Sequence, residues 1–202
     1  MGQNMRVVSA KYIFDGVNLL SDKAVLIDGN TIIDVVDKNK VYDVSQIEDF
    51  GDSVISAGLI DLQLNGCGGV LFNDSITLET LETMHQTNLR YGTTSYLPTL
   101  ITSAVADVMQ ALEVTKQWFK LYGNTRGVVG LHLEGPFLSV EKRGIHPLEF
   151  IIKPTDDLLA AIVPYTKFFP IKMTLAPENF TTAQIEYLVK HGVIVSVGHT
   201  NA

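Results

Sequence analysis

Hydrophobic and polar positions change rhythm once along this chain. Up to about residue 53, apolar residues come in short runs with no helical period. "RVVSAKYIF" is rich in strand formers, and "KAVLIDGNTIIDVVD" is two apolar runs around Asp28-Gly29-Asn30. That tripeptide marks a hairpin, because Gly and Asn tolerate the positive φ that tight turns require. "VYDVSQIEDFG" is a weaker strand signal. Residues 1–53 therefore predict a small antiparallel β unit.

From Ser53 onward, apolar strand-like runs alternate with helical periods. "VISAGLIDLQL" reads as a buried strand. Residues 75–92 read as a helix capped by Ser75 or Thr77, with Leu78, Leu81, Met84 and Leu89 on one side and Gly92 after its end. "TTSYLPTL", "GVVGLHLEG", "PIKMTLAPE" and "VIVSVGH" follow as strands, separated by helical segments at 102–123, 153–165 and 181–192. Such alternation predicts a parallel sheet covered by helices over residues 54–202. A doubly wound sheet would carry a phosphate loop after its first strand, but "LNGCGGVLFND" lacks the G-x-G-x-x-G spacing. A (β/α)₈ barrel puts polar residues at the C-terminal ends of its strands. Here Gln63, Asn65, Thr99, His132, Glu134, Glu178 and His199 fall there, so the barrel explains more.

Composition narrows the classes. The chain has 202 residues, 46% hydrophobic, with sixteen glycines and a net charge of −7. No basic stripe is available for nucleic-acid backbones. A single cysteine, Cys67, excludes an intrachain disulfide framework and fits a reducing cytoplasm. There is no signal-peptide core and no membrane-spanning run. "MGQNMR" has Arg6 where a myristoylation signal needs Ser or Thr.

"GLHLEGPF" carries the first candidate chemistry. Alternate strand residues share a face, so His132 and Glu134 point one way and Leu131 and Leu133 the other. A buried carboxylate needs a partner: loop amides, an ion pair or a metal. His199, just past the last strand, is of metal-ligating type; alone it reads equally as a hydrogen-bonded structural residue. Two such residues, each at the C-terminal end of a buried strand, make a shared cation the sharper reading.

"AGLIDLQLNGCGG", "GTTSYLPTLITS", "GLHLEGPFL", "KRGIHPLEF", "MTLAPE" and "VSVGHTNA" together resemble the N-terminal part of the N-acetylglucosamine-6-phosphate deacetylase family of the amidohydrolase superfamily. The resemblance runs over almost the whole chain after Ser53. It implies an incomplete (β/α)₈ barrel of about five strands, preceded by a small β-sandwich unit. It implies metal-dependent hydrolysis of the acetamide of N-acetylglucosamine-6-phosphate, in amino-sugar catabolism. Glu134 and His199 match the family's ligands for a divalent ion, zinc or iron, and Ile145 and His146 match its sugar contacts. His132, Gln63 and Asn65 are supporting residues. Gln63 and Asn65 stand where many amidohydrolases carry His-x-His, which implies one ion rather than two; both amides read as loop supports. Cys67 reads as a packed loop residue, and His85 and His191 as surface or capping residues.

By the same resemblance, the third metal ligand, the catalytic Asp and three further strands fall after Ala202, so no catalytic acid–base residue is expected in this chain. An incomplete barrel leaves two open strand edges, with Val195 and Val197 expected on the inward face with His199. That implies a homo-oligomer or pairing with a C-terminal half, around a phosphorylated amino-sugar substrate. Alternatives are a noncatalytic fragment that pairs with other chains, and an amidohydrolase of cyclic amides.

Overall fold

The computed structural model describes residues 5–42 and 46–202. Residues 1–4, the start of "MGQNMR", and 43–45, inside the weak strand signal, lie outside the described residues. The chain divides into two compact units, Met1–Gly58 and Leu59–Ala202.

In the first unit, β1 (Met5–Ser9), β4 (Lys23–Asp28), β5 (Thr31–Asp37) and β6 (Ile47–Asp49) form a sheet in the order β5-β4-β1-β6. A second sheet has the order β3-β2-β7, from β2 (Tyr12–Phe14), β3 (Leu19–Ser21) and β7 (Val54–Ser56). The expected hairpin is β4–β5, turned by Gly29 at φ 56°. The unit is mixed rather than antiparallel. β6 runs parallel to β1, and β7 parallel to β2. Only a tight turn forces antiparallel pairing, and these pairs are joined by long connections. Val8, Ile13 and Val25 form its core, with Ile27, Val35 and Ile55 packed against them. Because β7 pairs with β2, the first unit extends five residues past the boundary read from the sequence.

The second unit contains β8 (Leu59–Leu64), the short ladder β9 (Gly66–Cys67) and β10 (Val70–Leu71), β11 (Thr93–Ile101), β12 (Leu131–Glu134), β13 (Ile171–Leu175) and β14 (Val193–Val197). Five of these make one sheet, β8-β11-β12-β13-β14, every neighbouring pair parallel. The order follows the sequence with no reversal, so there is no switch point of the doubly wound kind. The helices α1 (Leu78–Arg90), α2 (Val105–Tyr122), α3 (Asp156–Ile162) and α4 (Thr182–Lys190) connect the strands. Thr77 caps α1 through the Thr80 N–H, and Thr181 and Gln184 form a reciprocal capping box on α4. Among the described residues no helix is long and apolar enough to cross a membrane.

Strand register sorts the two faces of this sheet. Leu131, Ile171 and Val193 are aligned across it, as are Leu133, Met173 and Val195. These side chains pack with Leu81 and Met84 of α1, Leu112 and Trp118 of α2, Leu159 of α3 and Leu188 of α4. The other face aligns Thr99, His132, Lys172 and Ile194, and then Glu134, Thr174 and Ser196.

Four expectations are corrected here. Val195 lies on the helix-side face and Val197 follows its parity, so Ile194 and Ser196 occupy the face of Glu134 instead. Residues 54–64 are not one buried strand: the chain splits at 57–58 and β8 is a sheet edge, with Leu59, Ile60 and Leu62 exposed. Leu89 is exposed, and His85 and Asn88 take its place on the buried side of α1. His85 is therefore not a surface residue. Its Nδ1 accepts from the Gly127 N–H at 3.3 Å, and its ring lies edge-on to Trp118.

Candidate functional site

Glu134 is the last residue of β12, and the chain turns at once through Gly135, whose φ is 96°. A Cβ at Gly135 would lie 2.1 Å from the Thr102 Oγ1, so glycine is needed twice over, for its backbone and for the close approach. His199 follows β14 after Gly198 and has φ 51°, in the left-handed region. That conformation costs a non-glycine residue about 1 kcal/mol or more, and it breaks the strand's parity. It re-aims the imidazole onto the face of Glu134. The Ser139 N–H donates to the His199 carbonyl at 2.9 Å and holds this turn.

One pocket of about 370 Å³ collects these groups; Gln63, Asn65, Leu71, Asn73, Ile101, Glu134, Ile145, His146 and His199 line it. One ligand-type atom from each of Glu134, His146 and His199 lies within 4.8 Å of the other two. The Glu134 Oε1 and the His199 Nε2 are 3.2 Å apart. The Gln63 Nε2 donates to the Glu134 Oε2 at 2.9 Å, so this amide supports a carboxylate rather than only a loop. Ile145 is at the rim with 90% of its surface exposed, whereas His146 is buried and packs edge-on to His199 at 4.5 Å.

His132 is not in the pocket lining. It is fully buried, with Nε2 2.8 Å from the Thr174 Oγ1 and Nδ1 3.3 Å from the Thr99 Oγ1. Burial first, and then the Lys172 charge, push its pKa down to about 4, so the ring is neutral. Burial and the neighbouring His199 also lower the pKa of His146. Glu178 accepts from the Asn201 N–H at 2.9 Å and from the Thr200 hydroxyl; the Asn201 amide is the first cause of its lowered pKa. It thereby pins the segment after His199. Burial raises the pKa of Cys67 above the ordinary value, which leaves a thiol packed against the core rather than a nucleophile.

The donor set fits a cation. The His199 Nδ1 is 3.0 Å from the Lys142 carbonyl, which can only accept, so Nδ1 carries a proton. In the neutral ring, Nε2 then presents a lone pair straight at a carboxylate oxygen, two acceptors face to face. A positive charge between them, a proton on Nε2 or a metal ion, resolves the contact. One imidazole and one carboxylate are suited to zinc or iron.

Sequence reasoning missed Thr102 and Asn73. The Asn73 Nδ2 donates to the Ile101 carbonyl at 3.2 Å, and its Oδ1 accepts from the Ile101 N–H at 2.9 Å, fixing the mouth of β11. Thr102 bonds the His146 Nδ1. Its place just past a parallel strand's C-terminal end was the available signal.

No family model matches the chain. An N-acetylglucosamine-6-phosphate deacetylase of Haemophilus influenzae is 40% identical over 190 residues, which are 94% of this chain and 49% of that relative. An N-acetylgalactosamine-6-phosphate deacetylase of a Shewanella strain is 39% identical over 155 residues, 72% of this chain and 36% of the relative. The crystal structure of the N-acetylglucosamine-6-phosphate deacetylase from Pasteurella multocida superposes with a TM-score of 0.91 at 41% identity, covering 98% of this chain and 52% of that one. The chain spans about half the length of the curated relatives it matches.

Proposed function

We propose, for a chain homologous over nearly its whole length to the N-terminal portion of the N-acetylglucosamine-6-phosphate deacetylases, that the pocket around Glu134 is part of an amide-hydrolysing centre. Its substrate is N-acetylglucosamine-6-phosphate and its products are acetate and glucosamine-6-phosphate. The observation that carries the reading is the 3.2 Å approach of the His199 Nε2 to the Glu134 Oε1, with Nδ1 committed to a carbonyl. Glu134 and His199 hold one divalent ion, zinc or iron. When bound, the ion supplies a Lewis acid that polarises a carbonyl or lowers the pKa of a water.

This chain's own residues bind and orient. Gln63 fixes one oxygen of Glu134 and leaves the other for the ion. Gln63 and Asn65 are neutral amides and poor ligands beside imidazole, which supports a single ion rather than a pair. His146 and Ile145 meet the sugar, and His132 holds the floor beneath Glu134 by tying β12 to β11 and β13. No residue of this chain is assigned proton transfer.

The five parallel strands in sequence order support a (β/α)₈ architecture in which β8 and β14 pair with further strands, and the two small sheets of the first unit support a sandwich. The partner is the segment equivalent to the other half of the relatives, or a second copy, in the cytoplasm.

Acetate release tests the reading. This chain is combined with the remaining segment of the Haemophilus enzyme and offered N-acetylglucosamine-6-phosphate and its 4-epimer, the latter because of the Shewanella relative. Turnover of the gluco substrate by the mixture, and by neither piece alone, is expected. A stable complex by light scattering that releases no acetate would contradict it.

A further inference from the structure

Two histidines share this pocket, and backbone groups hold their rings differently. For His199 the partner of Nδ1 is the Lys142 carbonyl, a pure acceptor, at 3.0 Å. For His146 the partner is Thr102, whose main-chain N–H points at Nδ1 from 3.4 Å and whose hydroxyl is 2.9 Å away. A backbone N–H can only donate, so a proton on the His146 Nδ1 would set two hydrogens against each other. The Thr102 hydroxyl has a second acceptor, the Glu134 carbonyl, but at a longer 3.3 Å. Its proton therefore goes to the His146 Nδ1. The ring proton of His146 is left on Nε2, which no protein group among the described residues bonds.

Thr102 is itself a built feature. It is 2% exposed at the end of β11, and its hydroxyl fills the space that Gly135, lacking a Cβ, leaves open.

We infer that Thr102 is a positioning residue: it fixes His146 as an Nε2–H donor to an acceptor oxygen of the bound sugar phosphate and keeps His146 out of the cation's ligand set. The inference rests on the reading of this pocket as a sugar-phosphate site. It divides labour between two adjacent imidazoles by tautomer, His199 offering a lone pair and His146 a proton. Close approach alone would group Glu134, His146 and His199 as three equivalent ligands.

The test is the ¹⁵N ring spectrum of the 202-residue chain with labelled histidine, read before and after addition of zinc alone. His146 is expected to show a protonated Nε2 and an unprotonated Nδ1, and His199 the reverse. Zinc should shift the His199 Nε2 and leave the His146 nitrogens in place. A protonated His146 Nδ1, or a zinc-bound His146, would overturn the inference. In Thr102→Val the His146 resonances should broaden or shift toward a tautomer mixture, and Thr102→Ser should restore them. A valine variant with the wild-type pattern would leave the main-chain N–H of residue 102 as the sole anchor and overturn the role given to the Thr102 side chain. Affinity for N-acetylglucosamine-6-phosphate should fall about tenfold in the valine variant and recover in the serine variant, the worth of about one hydrogen bond. If the chain binds no sugar phosphate while the tautomers are as stated, the substrate reading fails and the positioning of His146 stands.

Discussion

Strand β12 serves two surfaces whose requirements conflict. Leu131 and Leu133 enter the helix-covered face and join a continuous cluster of buried apolar side chains. His132 and Glu134, one residue out of step, enter the opposite face, where the neighbours in register are polar except Ile101 and Ile194. The first face gains from apolar area and close packing, and is indifferent to direction. The second face is costly: a buried carboxylate and imidazoles must each be satisfied by a specific partner. Thr99, Thr174, Gln63, Lys142 and Thr102 supply those partners. The difference teaches that stability and chemistry here are separated by strand parity rather than by distance along the chain.

That separation can be attacked from either side. Leu133→Ala should cost most, about 2–5 kcal/mol by thermal or urea unfolding, because Leu133 is 1% exposed in the middle of the cluster. The folded fraction should still bind zinc with unchanged affinity; loss of zinc binding in that fraction would break the comparison. Glu134→Gln should do the opposite. Zinc affinity by calorimetry should drop about a hundredfold or more, roughly 2.7 kcal/mol, with a smaller change in unfolding midpoint. Gln63→Leu removes only the hydrogen bond that orients the carboxylate, and should cost about tenfold in zinc affinity.

The smallest effect concerns a titratable group on the helix side, His85. Burial holds the His85 pKa below its ordinary 6.5. The unfolded chain then takes up a proton that the folded chain refuses. The stability that follows from this is full above pH 6.5 and falls as the pH drops through that value. His85→Asn should flatten that part of the pH–stability curve, and an unaltered slope would show that His85 is not its source.

Parity, turns and caps were legible in the sequence because each depends on residues within a few positions. The alternation in "GLHLEG" sorted His132 and Glu134 from the leucines, Asp28-Gly29-Asn30 marked its hairpin, and the cap was narrowed to Ser75 or Thr77, of which Thr77 is used. What stayed hidden depends on distant partners. The apolar run at 54–64 reads as one strand, but it breaks at 57–58 because β7 pairs with the distant β2. The parallel pairs β1–β6 and β2–β7 join segments some 40 residues apart, where no turn dictates direction. His199 was legible as a candidate ligand, but the left-handed φ that brings it onto the Glu134 face was not. Gln63 read as a loop support because its partner is 71 positions away. Thr102 could be singled out only once β11 and the loop carrying His146 were side by side.

The central claim is that Glu134 and His199 hold one ion together. Crystals of this chain grown with zinc, with the anomalous signal located at the zinc edge, test it most directly. The account predicts one zinc per chain, within about 2.0–2.2 Å of a Glu134 carboxylate oxygen and of the His199 Nε2, with Gln63 still on the second carboxylate oxygen and His146 outside the shell. Zinc bound to His146 instead of His199, or two zinc ions with Gln63 and Asn65 between them, would contradict it.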